Sequence, residues 1–183
     1  HWITVYKHWY KAEFFFKPAV MAALLVAYLS GSPDFASSGW FFVAAILFSM
    51  AGDLLLLFPS RFVLGLLLFV LAHIGYIIGF NIPFPHISLP VIALAVLVIV
   101  PANWLYRRIR AGLVEKGLRR LRKPVQAYMV ILSLMFLSGF ATLFRPEWPL
   151  TAALLVAGGA ALFAASDSLL AWNKFVHPLR TRR

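Results

Sequence analysis

The sequence predicts an all-α fold, a polytopic transmembrane bundle with six helices in this chain. Three observations predict it. The chain is 62% hydrophobic and only 13% charged, where a soluble domain is roughly half apolar and about a quarter charged. Its mean hydropathy is +0.86, and its apolar runs reach or approach the roughly 17–25 residues a helix needs to cross hydrocarbon. Those runs show no period-two alternation and are divided by short, breaker-rich loops, which favours helices over a barrel.

The elements follow in order as a single integral-membrane domain over 1–183. The first helix is expected over about 15–30, the weakest of the six because Lys17 and Pro18 stand at its start. GSPD at 31–34 breaks the chain before a second helix over about 40–58, and FPSR at 58–61 separates that from a third over 62–80. NIPFPH at 81–86 precedes a fourth over about 87–106, which a basic loop at 107–123 joins to a fifth over about 125–144. RPEWP at 145–149 leads into a sixth over about 150–172. Trp40, Trp104, Trp148 and Trp172 fall near segment ends, as interfacial anchors do.

The net charge of +11 raises nucleic acid as a partner, but its distribution points elsewhere. With both termini cytoplasmic, sixteen of the 17 Lys and Arg lie on the inner side and Arg145 alone lies outside. Basic residues are retained in the cytoplasm during insertion, so this split sets the orientation. The basic loop is read as a topology signal attracted to anionic inner-leaflet lipid, and no nucleic-acid motif accompanies it. There is no cysteine, which removes disulfides and thiolate metal sites. Nothing in the sequence fixes an oligomeric state.

Of six acids, Glu13, Asp34, Glu115 and Glu147 fall in the tail or loops. Asp53, in SMAGDLLLLF, and Asp167, in FAASDSLLAW, fall inside apolar helices that run in the same direction. Each is five residues from the expected inner end of its helix, so at 1.5 Å per residue both are expected roughly 7–8 Å beneath it. An intramembrane acid costs about 2.5–3.5 kcal/mol on insertion scales and marks a functional site by default. Two at one level repel when both are ionised, so one is expected to hold its proton, giving an acid and a base. The bland alternative is that each Asp is a structural hydrogen-bonder to a neighbouring helix.

Ser49, Ser166, Ser168, Asn103, Gln126, Tyr128, Lys17 and Asn173 are expected in the same layer, as a polar pocket open to the cytoplasmic leaflet. In FVLAHIGYIIGF, residues Phe69, His73, Tyr76 and Phe80 share a helical face, with His73 about 10 Å further out than the acids by rise. A lone His is more often a buried hydrogen-bonder than a ligand. No second His lies in a membrane segment, so a metal site is not expected, and neither is a cofactor. Gly75 with Gly79, and Gly158 and Gly159 with Ala160 and Ala161, read as close helix–helix contacts. AGDLLL and ASDSLL form a faint internal echo.

An ordered set of these pieces resembles the lysoplasmalogenase (YhhN-like) family of integral membrane proteins. The set is Lys17–Pro18, then SMAGDLLLLF, then Gly65 with FVLAHIGYIIGF, then Pro124, Val125 and Tyr128, then GGAALFAASDSLLAWNKF, over about 14–175. The resemblance implies hydrolysis of the vinyl ether bond of a lysophospholipid, releasing fatty aldehyde and glycerophosphoethanolamine or glycerophosphocholine. It implies Asp53 and Asp167 as catalytic residues and Lys17, His73, Tyr76 and Tyr128 as matching polar positions. Asn103 and Ser166 join the substrate-binding set from their place in the polar layer. The family is expected to have eight crossings where six are read here, as in a shortened member or a fragment.

Protonation of the vinyl ether β-carbon by one Asp, with the other stabilising the cation and activating water, fits the pocket. Asp167 is favoured as the acid, with Lys17 or His73 on the phosphate. A proton-coupled transporter could use the same acids as a relay, supported by the faint repeat. An intramembrane aspartyl protease also uses two Asp, but its GxGD signature is not met by Met50–Ala51–Gly52–Asp53. A non-catalytic membrane scaffold is the remaining alternative.

Overall fold

A computed structural model describes residues 10–31, 34–84 and 88–176, with the side chains of 10–17 and 59 left aside. The described residues form six α-helices and no strand: α1 (Tyr10–Ser30), α2 (Gly39–Leu56), α3 (Phe62–Phe80), α4 (Leu89–Glu115), α5 (Arg122–Ala141) and α6 (Leu150–Phe175). Short 3-10 turns stand at Pro59–Arg61, Arg119–Leu121 and Thr142–Phe144. Among the described residues, α2 to α6 are long and apolar enough to cross a membrane. The chain is thus an integral-membrane helical protein. The first helix starts at Tyr10, ahead of the expected residue 15, and the part of it whose side chains are described, Pro18–Ser30, is apolar.

The chain divides into two compact units, residues up to Ile82 and residues from Pro83 onward. In the first, α1 packs on α2, and α2 packs along α3. The core here is Ala45, Ile46, Leu66, Phe69, Ala72 and Phe80. Lipid is as apolar as leucine, so helix association in a membrane comes from close packing. Gly52 and Gly65 supply it. A Cβ on either would lie 3.3 Å from the other's carbonyl oxygen, and one on Gly52 would meet the Phe69 ring at 2.8 Å. Gly75 and Gly79, read as a contact pair, do face α2: a Cβ would meet the Phe41 carbonyl oxygen at 3.0 Å and the Phe42 ring at 2.7 Å. Phe42 then carries an aromatic cluster with Tyr28, Tyr76 and Phe80, at centroid distances of 5.7, 6.4 and 5.4 Å.

In the second unit α4, α5 and α6 pack on one another. The basic stretch expected as a loop over 107–123 is mostly helix, since α4 continues to Glu115. The reason is amphipathic: Ile109, Gly112 and Leu113 are buried, at the three- and four-residue spacing that keeps one face inward. At Gly112 the approach is so close that an added Cβ would fall on the Phe175 carbonyl oxygen at the end of α6. Lys116 Nζ donates to the Lys174 carbonyl oxygen at 2.8 Å, where the last carbonyls of α6 lack helical partners. Gly117, at φ 70°, then ends α4. Its N–H donates to the Val114 carbonyl at 3.1 Å and Leu118 N–H to the Leu113 carbonyl at 2.8 Å, a pairing that closes a helix with a left-handed residue.

The expected contact at Gly158 and Gly159 does not form. Nothing described lies within 4 Å of a Cβ on either. Helical phase explains it: Ala153, Ala157 and Ala160 take the buried face, which turns both glycines outward.

Candidate functional site

Each unit holds one intramembrane acid. In the first, Asp53 is half-buried on α2, next to the Gly52–Gly65 approach. Ser49, one turn earlier, is fully buried. His73 is also fully buried, with Phe69 at a centroid distance of 6.4 Å. The shared face expected of Phe69, His73, Tyr76 and Phe80 is present: three are buried and Tyr76 is half-buried. Tyr76 stacks on Phe80 at 6.0 Å. His73 lies eight residues beyond Gly65 on α3, about 12 Å along the helix from the level of Asp53 at 1.5 Å per residue. The two are therefore offset along the α2–α3 pair rather than side by side. Lys17 lies in α1, but its side chain falls outside the described residues.

In the second unit Asp167 is half-buried on α6, and the Tyr128 hydroxyl on α5 donates a hydrogen bond to its Oδ2. Tyr128 is itself 8% exposed, so a protein group satisfies the phenol and holds the carboxylate. The other polar positions of this unit, Asn103, Gln126, Ser166 and Asn173, are exposed. Asp53 stands three residues before the end of α2 and Asp167 eight before the end of α6. The equal spacing expected from sequence fails because α2 stops at Leu56, short of Phe58, while α6 runs on past Trp172 to Phe175. Trp172 stacks on Trp104 at 5.8 Å, and Arg108 lies over the Trp104 ring at 5.6 Å.

A cavity of about 300 Å³ lies within the second unit. Leu94, Leu97, Pro101 and Leu105 of α4 form one wall, and Met129, Leu132, Phe136 and Phe140 of α5 another. Ala164 and Ser168 of α6 complete it. Sequence reasoning missed this cavity, having placed a polar pocket in this layer. The available signal was Pro101 inside α4. A proline cannot donate to the carbonyl four residues back and displaces the preceding turn, and Leu97 and Pro101 both line the space. Among the described residues no group of three or more His, Asp or Glu is placed to hold a metal.

Comparison with known proteins adds an identity. The human lysoplasmalogenase TMEM86B (Homo sapiens) is 32% identical over 138 residues, covering 74% of this chain and 51% of that protein. The lysoplasmalogenase of Mycobacterium tuberculosis (strain CDC 1551 / Oshkosh) is 32% identical over 168 residues, covering 86% of this chain and 58% of that one. The mouse TMEM86B (Mus musculus) is 29% identical over 155 residues, 85% of this chain and 60% of its own. The chain thus spans between about half and three fifths of the length of these relatives. No solved structure matches it. The YhhN family matches residues 12–183, a stretch that includes both intramembrane acids, and the chain belongs to that family.

Proposed function

We propose that this protein hydrolyses the vinyl ether bond of a lysophospholipid in the membrane, with Asp53 and Asp167 sharing the acid/base work. The observation that carries the reading is the family match across both acids, with relatives at 32% identity named lysoplasmalogenase. Both termini are assigned to the cytoplasm, on the strength of the sixteen-to-one distribution of Lys and Arg. The substrate headgroup then lies at the inner interface.

The chemistry needs one proton donor and one acceptor. A carboxylic acid protonates the β-carbon of the vinyl ether, and the C=C electron pair forms the new C–H bond, leaving an oxocarbenium ion. The second carboxylate stabilises that cation and takes a proton from water as the water oxygen bonds to the α-carbon. The resulting hemiacetal collapses: the carboxylate that gave the first proton takes the hydroxyl proton as the C–O bond to glycerol breaks. The carboxyl that took a proton from water gives it to the glycerol oxygen, so aldehyde and alcohol depart and both groups are reset. The sequence favoured Asp167 as the acid. The hydrogen bond from Tyr128 supports the opposite assignment. A carboxylate oxygen already accepting a phenolic hydrogen is set up to face a cation and receive a proton from water, so Asp167 takes the base role and Asp53 the acid role. Lys17 or His73 is assigned to the phosphate, and Tyr76, Asn103 and Ser166 to the surrounding polar layer.

The test is aldehyde release from a purified preparation given a vinyl-ether lysolipid. Asp53→Asn and Asp167→Asn should each abolish release while helicity is kept. Full activity in either variant removes that residue from the chemistry. Proton-coupled flux in liposomes without aldehyde release would replace the reading with a transporter.

A further inference from the structure

The cavity among α4, α5 and α6 has a shape and a setting that the proposed chemistry does not use. Along α4 its lining runs from Leu94 to Leu105, about 16 Å at 1.5 Å per residue. That is roughly half of a hydrocarbon core about 30 Å thick, the depth of one leaflet. Its walls are aliphatic and aromatic, with Phe136 stacked on Phe140 at 4.4 Å towards one end. At the other end stands Ser168, the residue after Asp167. Beyond Leu105 on the same helix come Arg107, Arg108 and Arg110. An apolar cavity about one leaflet long therefore has Ser168, the chain neighbour of Asp167, at one end and guanidinium groups a turn beyond Leu105.

Resting on the hydrolase reading above, we propose that this cavity receives the single alkyl chain of the lysophospholipid and sets the chain length that the enzyme accepts. The alkyl chain then lies along the cavity with the vinyl ether bond towards Asp167, the base of the proposed chemistry. Phe140 and Leu94 line the end away from Ser168. Leu97, one turn before Pro101, lies along the α4 wall, where added bulk narrows the space.

The experiment uses the full chain in detergent with a lysophosphatidylcholine whose ester-linked chain carries a diazirine midway, a probe that does not depend on vinyl ether cleavage. Irradiation should label residues 94–105 and 129–140, competed away by unlabelled lysophosphatidylcholine. Leu97→Trp should cut that labelling at least tenfold and move the aldehyde-release optimum to shorter chains. Phe140→Ala, which removes bulk rather than adding it, should move the optimum to longer ones. Uncompeted label on outward residues such as Leu155 and Leu162 overturns the proposal, as does an unchanged chain-length profile in both variants. Labelling in the cavity with no aldehyde from any vinyl-ether lysolipid upholds the chain site and removes the hydrolase reading. Aldehyde release with label confined to outward faces does the reverse.

Discussion

Gly52→Ala should loosen α2 from α3, and by a calculable amount. The new Cβ would stand 2.8 Å from Phe69 Cδ2, 2.9 Å from Cε2 and 3.3 Å from the Gly65 carbonyl oxygen. Phe69 is 5% exposed, so its ring has little room to retreat. Forcing a methyl into a packed contact costs about 1–3 kcal/mol. Alanine returns about 0.8–1.0 kcal/mol of helix propensity relative to glycine. The net is about 1 kcal/mol of destabilisation, close to a fivefold fall in the folding constant. Gly65→Ala is the internal control. Its Cβ has the same 3.3 Å approach to a backbone oxygen but otherwise meets Leu56, at 2.9 Å from Cδ2 and 3.1 Å from Cγ, a half-buried, flexible side chain, so its net cost should be the smaller. Helicity followed through a reversible SDS titration of the purified chain reads both. A Phe69→Leu background should relieve much of the Gly52→Ala cost, since residues in contact couple. A Gly52→Ala variant as stable as the parent, with Gly65→Ala the weaker of the two, would refute the close approach.

Three further outcomes follow from the described contacts. Tyr128→Phe removes the donor to Asp167 Oδ2. With a hydrogen bond to a charged group worth about 1.5–3 kcal/mol, aldehyde release should fall about 10–100-fold with unfolding little changed. Arg145 is 8% exposed, donates Nη2–H to the Pro83 carbonyl oxygen and places Nε 3.5 Å from Glu147 Oε2. Arg145→Ala should cost about 1–3 kcal/mol in the same SDS titration, and Glu147→Gln much less, because that carboxylate is 43% exposed. Asp34 accepts the Ser37 hydroxyl at 2.7 Å and the Ala36 N–H at 2.9 Å, and these bonds hold its carboxyl below the usual value. A lowered folded-state value means the contribution is present above the unfolded value and is lost as pH falls through the folded one. Stability from this turn should stay flat from pH 8 to 5 and drop only below about pH 4, a drop missing in Asp34→Asn.

The membrane helices were legible because length and apolarity alone define them: Phe62–Phe80 has the bounds expected from sequence. The α2–α3 contact was half legible, as Gly75 and Gly79 announced themselves by spacing, while Gly52 and Gly65 lie on different helices and reveal their partnership only in three dimensions. The helical run of α4 through 107–115 was readable from the period of Ile109, Gly112 and Leu113, but the density of arginines drew attention instead. Gly158 and Gly159 misled because composition was read without phase. For the candidate site, sequence isolated Asp53 and Asp167 by their cost in lipid. It could place Tyr128 in the same layer but not against Asp167, because that bond spans 39 residues. The cavity in the unit that holds Asp167 arises from side chains on three helices, each unremarkable by itself.

The seam at the far end of α6 has a reach beyond its own neighbourhood. Gly112 lets α4 touch the Phe175 carbonyl, and Lys116 ties the adjoining Lys174 carbonyl. Phe175 is eight residues, about 12 Å, along the rod from Asp167. Such a fastening stops α6 from sliding along its axis, and every residue of slip would carry Asp167 about 1.5 Å from its phenol. A misplacement near 1 Å can cost a reaction about a hundredfold. A bulkier side chain at Gly112 would thus act as a remote governor of the chemistry, dulling turnover while leaving every group around the carboxylate untouched.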